Sequence, residues 1–240
     1  RRPPRSTLSS SSAASDVYKR QWFIPSVIKN NPKTIIICHG WGASKGDVLP
    51  STRFLRDNFN LLYFDFTNHG QSGGRKTSMG KFEGEDILSA LKFLKENKTD
   101  LSKKIGVLGF SMGASAAIYA AAVNGEINAI AVESPFESFN EITYHYAKLF
   151  FRIPPHPLID LTLLAARLRL GFNPEDYSPK LHVGAISPRP ILFIASSGDE
   201  NIPLRVTKSL FENAKEPKKI VVFNSKGHMS AYQDFPEKYK

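Results

Sequence analysis

The stretch Lys104–Tyr119 constrains the fold of this chain more than any other part of the sequence. It starts with the apolar run Ile105–Leu108, continues through the Gly-Phe-Ser-Met-Gly turn Gly109–Gly113, and ends in small residues. This pattern predicts a buried strand, a sharp turn and a helix packed closely on the sheet. A Gly-x-Ser-x-Gly turn between a strand and a helix is a nucleophile elbow, which would hold the hydroxyl of Ser111 clear of the sheet. The flanking glycines are expected because a side chain there would collide with the helix.

Elsewhere the chain alternates short apolar runs with amphipathic stretches. The apolar runs predict extended segments at Trp22–Ile28, Thr34–Cys38, Leu61–Phe66, Ile127–Val132, Ile191–Ala195 and Ile220–Phe223. The amphipathic stretches predict helices at Asp47–Asn58, Lys81–Asn97 and Leu204–Ala214, with a final helix starting near Met229. Strands that alternate with helices form a mostly parallel sheet covered on both faces. The fold class is therefore α/β, and functional residues are expected at the carboxyl ends of the strands.

The segment Phe136–Ser187 interrupts this alternation. Two helical patterns, Phe139–Phe151 and Leu158–Leu170, flank the proline-rich stretch Pro154–Pro157. We interpret the segment as a helical lid inserted between two strands of the sheet. Three arginines accompany its apolar residues: Arg152, Arg167 and Arg169. Two roles stay open for these apolar residues and arginines of the lid: covering a substrate pocket, which we favour, or touching a membrane surface.

Composition and charge argue against several classes of protein. The formal net charge is +10, to which the first 21 residues contribute five basic side chains and one acidic one. The other basic residues are spread out without interleaved aromatics, so nucleic-acid binding is not predicted. No apolar run approaches the ~18 residues of a membrane-spanning helix. The single cysteine, Cys38, excludes an internal disulfide and fits a reducing compartment. We therefore expect a cytoplasmic location, with a signal or anchor lost from the N-terminus left open.

No motif in the chain calls for a cofactor or a metal. The Gly-rich stretch Gly70–Gly74 lacks the Gly-Lys-Ser/Thr ending of a phosphate-binding loop and the G-x-G-x-x-G spacing of a dinucleotide site. The histidines show no metal-ligand spacing with one another or with Cys38. We expect His39 to brace the loop after its strand, and His69 to have a structural role in a Gly-rich turn.

Three polar residues follow the ends of predicted strands, in the order Ser111, Asp199 and His228. A serine hydroxyl is a weak nucleophile that needs a base within hydrogen-bond reach, and histidine is the usual base near neutral pH. A carboxylate is then required to hold the imidazole in the correct tautomer and to stabilise its cation. This order predicts a Ser-His-Asp triad. Glu133, which ends a neighbouring strand, is the alternative acid.

Taken in order along the chain, these motifs resemble those of the α/β-hydrolase superfamily. The resemblance is greatest to a bacterial group described as serine aminopeptidase-like or esterase-like hydrolases. The matching pieces are His39–Gly42, Asp65–Ser72, Gly109–Gly113, Ile194–Pro203 and Gly227-His228. One departure is the pair Ala195-Ser196, which stands where many members have His-Gly and leaves the position of Asp199 unaffected. The resemblance implies an α/β-hydrolase fold and a cofactor-free serine hydrolase, and it fixes no substrate.

The same resemblance implies an oxyanion hole made of two backbone N–H groups. One belongs to Met112, directly after the nucleophile, and the other to Trp41, in the loop after the strand Thr34–Cys38. The Trp41 side chain is expected to line the substrate pocket together with the lid aromatics Phe136 and Phe139. An ordinary packing role for the Trp41 ring stays open and is compatible with the backbone role.

The segment Arg1–Gln21 is rich in serine and arginine and nearly free of large apolar side chains. We expect it to lie outside the folded domain, placed at residues 22–240, and to be dispensable for stability. Three interpretations stay open: a disordered tail, part of an organellar transit peptide, or, as we favour, non-native sequence resembling translated adapters. We also expect the domain to be truncated at both ends. Complete members of the fold carry further strands before Thr34–Cys38, and the last helix calls for further turns.

These observations favour an enzyme that cleaves small carboxylic esters of short to medium acyl chain through an acyl-enzyme. A peptidase or amidase with the same triad, acting on a peptide substrate, stays open because the motifs are shared. A catalytically silent binding protein on the same fold is a third hypothesis, against which the complete set of triad residues argues.

Overall fold

A seven-stranded sheet runs through the computed structural model, which describes residues 20–152, 154 and 156–240. Its strands are β1 Gln21–Ile24, β2 Lys33–Cys38, β3 Asn60–Phe64, β4 Lys104–Phe110, β5 Ile127–Glu133, β6 Ile191–Ser196 and β7 Lys218–Phe223. They lie in the order β1-β3-β2-β4-β5-β6-β7. Every neighbouring pair is parallel except β1 with β3, which is antiparallel. The expected mostly parallel α/β sheet is therefore confirmed.

Helices connect the strands and cover both faces of the sheet. They are α1 Lys45–Thr52, α2 Lys81–Asn97, α3 Met112–Val123, α4 Phe139–Phe151, α5 Leu158–Leu170, α6 Pro179–His182, α7 Leu204–Asn213, α8 Ala231–Asp234 and α9 Pro236–Tyr239. The helix predicted at Asp47–Asn58 ends earlier than expected, because a 3₁₀ turn, Arg53–Asp57, follows α1. The single helix predicted near Met229 is two short helices, since Pro236 has no N–H with which to continue the first.

The core lies on both sides of the central strands. Ile36 and Leu62 pack towards the helices α2, α3 and α7, whereas Ile37 and Tyr63 pack towards α1. Because both faces are covered, the strand β2 reads as a continuous apolar run without alternation. Burial of these side chains is the main stabilising contribution and amounts to about 1.5–3 kcal/mol for each large one.

One part of the sheet stays uncovered on the side of α1. An apolar groove with a volume of about 340 Å³ runs over β2, β4 and β5, and we call it the sheet groove. Its floor includes Ile35, Gly106 and Ala129, and lysines Lys33 and Lys104 also line it. The groove leaves space beside β4 that a larger residue than glycine could use.

The helices α4 and α5 form an insertion between β5 and β6. They pack against each other through Ala147, Ile159 and Leu163. A side-chain hydrogen bond from Tyr144 to Asp160 adds a polar link between them. Few side chains of α5 are buried, because this helix contacts the rest of the molecule along a narrow face.

The N-terminal boundary differs from the one expected at residue 22. Residues 1–19 of the expected tail lie outside the described residues. The carbonyl of Arg20 accepts a hydrogen bond from the Asp65 N–H at 3.0 Å, and the Arg20 N–H donates to Ser72 Oγ at 3.1 Å. Gln21 is the first residue of β1 and pairs with Phe64. The sheet therefore uses two residues that composition assigned to the tail.

Candidate active site

Ser111 occupies a strained turn between β4 and α3. Its backbone dihedral angles are φ 51° and ψ −114°, in a region that residues with a side chain rarely adopt. The Ser111 N–H donates to the carbonyl of Glu133 on β5 at 2.8 Å, which holds the turn against the sheet. Strain of this kind costs on the order of 1–3 kcal/mol and is typical of functional sites.

The two glycines of the turn are required by close backbone packing. A Cβ atom at position 109 would lie 2.3 Å from the carbonyl oxygen of Gly113. A Cβ atom at position 113 would lie 2.5 Å from the carbonyl oxygen of His39. Both distances are far below van der Waals contact, so the strand, the turn and α3 approach each other as the sequence predicted.

Asp199 and His228 meet at the carboxyl ends of β6 and β7. Nδ1 of His228 lies 2.7 Å from Oδ2 of Asp199, and the carboxyl is buried. The same Oδ2 accepts a hydrogen bond from the Ser134 hydroxyl at 2.9 Å, and Oδ1 accepts one from the Ile202 N–H at 2.9 Å. These partners fix the carboxylate, so it can hold the imidazole in one orientation and one tautomer.

The Ser111 hydroxyl and Nε2 of His228 form no hydrogen bond within the part of the chain that the structure describes. The surroundings of Gly40 show how closely the segments that carry Ser111 and His228 approach each other. An ideal Cβ atom at Gly40 would lie 3.4 Å from Cβ of Ser111 and 3.6 Å from Cε of Met229. Met229 directly follows His228, so the segment that carries the imidazole reaches the elbow. Catalytic hydrogen bonds are often long in unliganded enzymes and tighten when substrate binds.

Two backbone donors lie in the segments around Ser111. Met112 is the first residue of α3, where the N–H groups point out of the helix and the helix dipole favours negative charge. Trp41 follows Gly40, the residue that lies beside Ser111 at the elbow. Among the described residues, neither the Met112 N–H nor the Trp41 N–H has an acceptor. Both donors are therefore available for an oxygen that gains negative charge.

His39 braces the turn that carries Trp41. Its Nδ1 lies 2.7 Å from the Gly40 carbonyl, and its Nε2 accepts a hydrogen bond from the Phe66 N–H at 3.1 Å. The first contact requires a proton on Nδ1 and the second requires none on Nε2, so the ring is neutral. Burial lowers the pKa of His39 to about 4, in agreement with this assignment. The expected bracing role is the one the geometry supports.

The loop after β3 is organised around the buried carboxylate of Asp65. It accepts hydrogen bonds from the N–H groups of Lys45 at 2.8 Å and Gln71 at 2.9 Å, and it pairs with the Lys45 ammonium. A Cβ atom at Gly70, where φ is +53°, would lie 2.4 Å from the Asp65 carboxyl carbon. The motif Asp65–Ser72 therefore has a structural role, because the Asp65 carboxylate ties the start of α1 to the loop that follows β3.

The three residues expected to bind substrate separate into two places. Trp41 and Phe139 line an apolar cavity of about 210 Å³, which we call the Trp41 cavity. Phe136 is buried in the core and lines another cleft, of about 440 Å³, between α4 and the start of α7. Its backbone N–H and carbonyl both contact Ser115 Oγ at 3.1 Å, which fixes it there. The backbone clamp holds Phe136 in a different cavity from Trp41, although Ile142 lines both cavities. Substrate binding by these three residues stays a prediction.

The remaining histidines make local contacts. Nδ1 of His69 lies 3.0 Å from the Thr67 carbonyl, and Nε2 of His145 lies 2.8 Å from the Glu200 carbonyl, which links α4 to the loop after β6. Within the described ranges, no group of three or more His, Cys, Asp or Glu side chains could hold a metal ion. No described helix is long and apolar enough to cross a membrane.

Sequence reasoning missed two contributions to the site. Ser134 supports Asp199 from the end of β5, and its place directly after a strand was a usable signal. Tyr239 donates a hydrogen bond to Oε2 of Glu133, and nothing in the sequence marks that pair. Glu133 lies close to the site, yet the carboxyl that contacts Nδ1 of His228 is that of Asp199.

The parallel sheet, the strained serine turn after β4 and the acid–imidazole pair after β6 and β7 define the α/β-hydrolase class. The chain belongs to this family: the family model for the alpha/beta hydrolase fold matches residues 33–160. The expected superfamily is thereby confirmed.

Similar proteins agree with this membership. YqkD of Bacillus subtilis is 34% identical over 209 residues, a match that spans 85% of this chain and 67% of that protein. YfhR of Escherichia coli strain K12 is 28% identical over 222 residues, spanning 89% of this chain and 70% of that protein. Among solved structures, the esterase Pf2001 of Pyrococcus furiosus superposes with a TM-score of 0.75 at 28% identity, covering 98% of this chain and 87% of that one. These similarities support a hydrolase.

Proposed function

We propose that the protein is a serine hydrolase that cleaves carboxylic esters of short to medium acyl chain. Ser111 is the nucleophile, His228 the general base and acid, and Asp199 the residue that orients the imidazole. The observation that carries the proposal is the 2.7 Å contact between Asp199 and Nδ1 of His228, on the same edge of the sheet as the strained turn of Ser111. Similarity to a solved esterase favours the ester over other acyl substrates.

The proposed reaction has two halves. Ser111 Oγ attacks the ester carbonyl carbon while Nε2 of His228 takes the hydroxyl proton. The N–H groups of Trp41 and Met112 stabilise the oxyanion. The intermediate then expels the alcohol, which receives the proton from His228, and leaves an acyl group on Ser111. Water, deprotonated by the same imidazole, then attacks the acyl carbonyl carbon. The bond between that carbon and Ser111 Oγ breaks, the imidazolium returns its proton to Ser111 Oγ, and the carboxylic acid leaves. Asp199 orients the imidazolium and stabilises its charge.

The Trp41 cavity supports the limit on acyl length. Its lining is mostly apolar, with Thr77 and Thr143 as the polar members, and Phe139, Ile142 and Tyr146 of the insertion line its volume of about 210 Å³. We propose acyl chains of roughly two to eight carbons, with each methylene that fits adding up to about 0.8 kcal/mol of binding. Longer chains would extend into solvent and gain nothing further.

The experiment that tests the proposal is covalent labelling combined with the variant Ser111→Ala. The wild-type protein should react with a fluorophosphonate, and mass spectrometry should find the adduct on Ser111. Ser111→Ala should lose the label and lower kcat by on the order of 10⁴-fold or more, because the nucleophile is gone. Ser89→Ala, in α2 and away from the site, is the control and should behave as wild type. An adduct on Ser115 or Ser134 with Ser111 unmodified would reject the assignment.

A substrate panel separates the remaining alternatives. p-Nitrophenyl esters of graded length should give kcat/KM values that rise over short chains and then level off. Activity on aminoacyl anilides with none on esters would identify a peptidase. Activity that keeps rising to long-chain esters would contradict the bounded cavity, and the absence of both label and turnover would identify a binding protein.

A further inference from the structure

We propose that the insertion docks on the surface of a lipid bilayer that contains anionic lipids. The face that meets the bilayer, which we call the lid face, is formed by the outer side of α5 and the end of α4. Its apolar members are all more than half exposed: Phe150, Phe151, Leu158, Leu161, Leu164 and Leu168. This partner goes beyond the proposed ester hydrolysis and does not depend on it.

The helix α5 is apolar on two opposite sides. Its inner side packs on Ala147 of α4 through Ile159 and Leu163. The opposite side carries four leucines, which lie within an arc of roughly 120° at about 100° per residue. They are Leu158, Leu161, Leu164 and Leu168, with exposures between 51% and 77%. A helix that is apolar on both sides is normally covered on both, yet within the described residues only the inner side of α5 is covered.

The end of α4 enlarges this apolar surface. Phe150 and Phe151 are exposed, and residues 152–157 are all that separates them from the first turn of α5. Single exposed apolar side chains are ordinary on a protein surface and need no explanation. Six large ones on one pair of packed helices form a concentration of the kind that marks an interaction site.

Contact with substrate does not account for the outer leucines. The insertion lines the Trp41 cavity through Phe139, Ile142 and Tyr146, all of which belong to α4. Among the described residues that line this cavity or the cleft between α4 and α7, none belongs to α5. Of the two roles expected for the lid, contact with a membrane surface is therefore the one that suits these leucines.

Two arginines border the stripe of leucines. On the same helical projection, Arg167 lies at the Leu164 edge of the stripe and Arg169 lies at the Leu158 edge. Neither guanidinium forms a salt bridge within the part of the chain that the structure describes. When a helix binds at a bilayer surface, its apolar side enters the boundary between headgroups and acyl chains, and its basic side chains attract anionic lipids. The lid face presents both features.

A second copy of the chain fits the lid face less well than an anionic surface does. In a symmetric dimer the arginine borders of the two copies would meet, and like charges that face each other are unfavourable. Asp160 is the one acidic residue of α5. Its carboxylate already contacts the Tyr144 hydroxyl at 2.5 Å and Nδ1 of His156 at 2.6 Å. Charge complementarity therefore favours the bilayer.

The lid face lies next to the segment that lines the Trp41 cavity. The Lys76 ammonium donates a hydrogen bond to the Arg169 carbonyl at 2.8 Å, at the end of α5. The neighbouring Thr77 and Met79 line the cavity together with Trp41. Docking would thus add the charge of Lys76 to the basic border and bring the cavity close to the bilayer surface.

The test is flotation of the full chain with phosphatidylcholine vesicles, with and without about 30% phosphatidylglycerol as the anionic lipid. The wild-type protein should float with the anionic vesicles, and raised salt should weaken its binding because it screens the attraction. The double variant Leu161→Ser, Leu168→Ser should partition at least about tenfold less, since it buries less apolar surface in the bilayer. Leu181→Ser is the matched control: this leucine is 59% exposed, Leu161 is 58% exposed, and α6 lies outside the lid face. It should bind as the wild type does.

A second pair of variants tests the charges. Arg167→Gln with Arg169→Gln should weaken binding to anionic vesicles by about fivefold for each cation removed. Lys29→Gln with Lys103→Gln removes the same net charge just before β2 and β4, at the edge of the sheet opposite to the strand ends that lead into the insertion. This control should retain wild-type binding. Thermal denaturation verifies that each variant is folded at the temperature of the assay.

Three outcomes would overturn the proposal. One is a wild-type protein that floats with neither kind of vesicle, or equally with both. Another is equal flotation of the wild type and the double leucine variant. The third is a wild-type dimer, seen by light scattering, that the double leucine variant converts to a monomer while neither binds vesicles, because the occupant would then be a second copy. Flotation needs no turnover, so its result is separate from that of the labelling experiment.

Discussion

At the scale of single residues, the strand β4 carries two glycines under opposite constraints. A Cβ atom at Gly109 would lie 2.3 Å from the Gly113 carbonyl, whereas one at Gly106 would lie 3.6 Å from the Ala129 carbonyl, beside the sheet groove. We expect Gly109→Ala to lower the free energy of unfolding by about 1–3 kcal/mol through steric overlap. Gly106→Ala should raise it by about 0.5–1 kcal/mol, because alanine loses less entropy in a strand. Urea denaturation of both variants measures the difference, and a shift of the same sign in both would refute the argument.

His39 makes a second prediction at this scale, on pH. Its pKa is lowered to about 4 in the folded protein, so below about pH 6.5 the unfolded chain binds a proton that the folded one does not. The contribution of the neutral His39 to the free energy of unfolding is therefore fully present above about pH 6.5, and it is lost as the pH drops towards 4. Between pH 7.5 and pH 5 the loss should be about 2 kcal/mol. Urea denaturation gives the free energy of unfolding of the wild type and of His39→Gln. The difference between the two should be smaller at pH 5 than at pH 7.5 by that amount.

The comparison with His39→Gln is necessary because Glu133 acts in the opposite direction. Its pKa is raised to about 7, so the folded protein holds that proton more tightly and gains stability as the pH falls from 7 towards 4.5. The two effects largely cancel in the wild-type protein. A difference between wild type and His39→Gln that stays constant with pH would show that His39 is not held neutral.

At the scale of secondary-structure elements, β1 joins the sheet through its first residues. A chain that begins at Trp22 loses two hydrogen bonds made by Arg20, with Asp65 and Ser72, and the pairing of Gln21 with Phe64. Compared with a chain that begins at Lys19, it should be less stable by about 1–3 kcal/mol, at about 1 kcal/mol for each bond. Thermal or urea denaturation of the two chains provides the measurement. Equal stabilities would restore the boundary at residue 22.

The helices show which elements the sequence could predict. The bounds of α2, α4 and α5 agree with the prediction because their ends are marked locally: α5, for example, begins after Pro157 and ends at Gly171, whose φ is 82°. The final helix was predicted as one piece although Pro236 stood in the sequence as a sign of the break. The short 3₁₀ turn after α1 had no such marker, since its residues suit either kind of helix.

At the scale of the whole molecule, the order of polar residues at strand ends was enough to bring Asp199 and His228 together, because parallel strands present their carboxyl ends at one edge. Contacts between distant segments without such a rule were not predictable. The ion pair of Lys45 with Asp65 depends on where α1 packs after folding. The position of Phe136 depends on a clamp by Ser115 that only the three-dimensional arrangement creates.

The exposure of Trp41 gives the protein its own optical signal. The chain has two tryptophans. Trp22 is half-buried in β1 with the Lys45 ammonium 4.8 Å from its ring centre, while Trp41 is 63% exposed at the edge of its cavity. In a Trp22→Phe variant all indole fluorescence comes from Trp41. Its emission should shift to shorter wavelength when an acyl phosphonate fills the cavity and displaces water, so occupancy could be followed in real time without a labelled substrate.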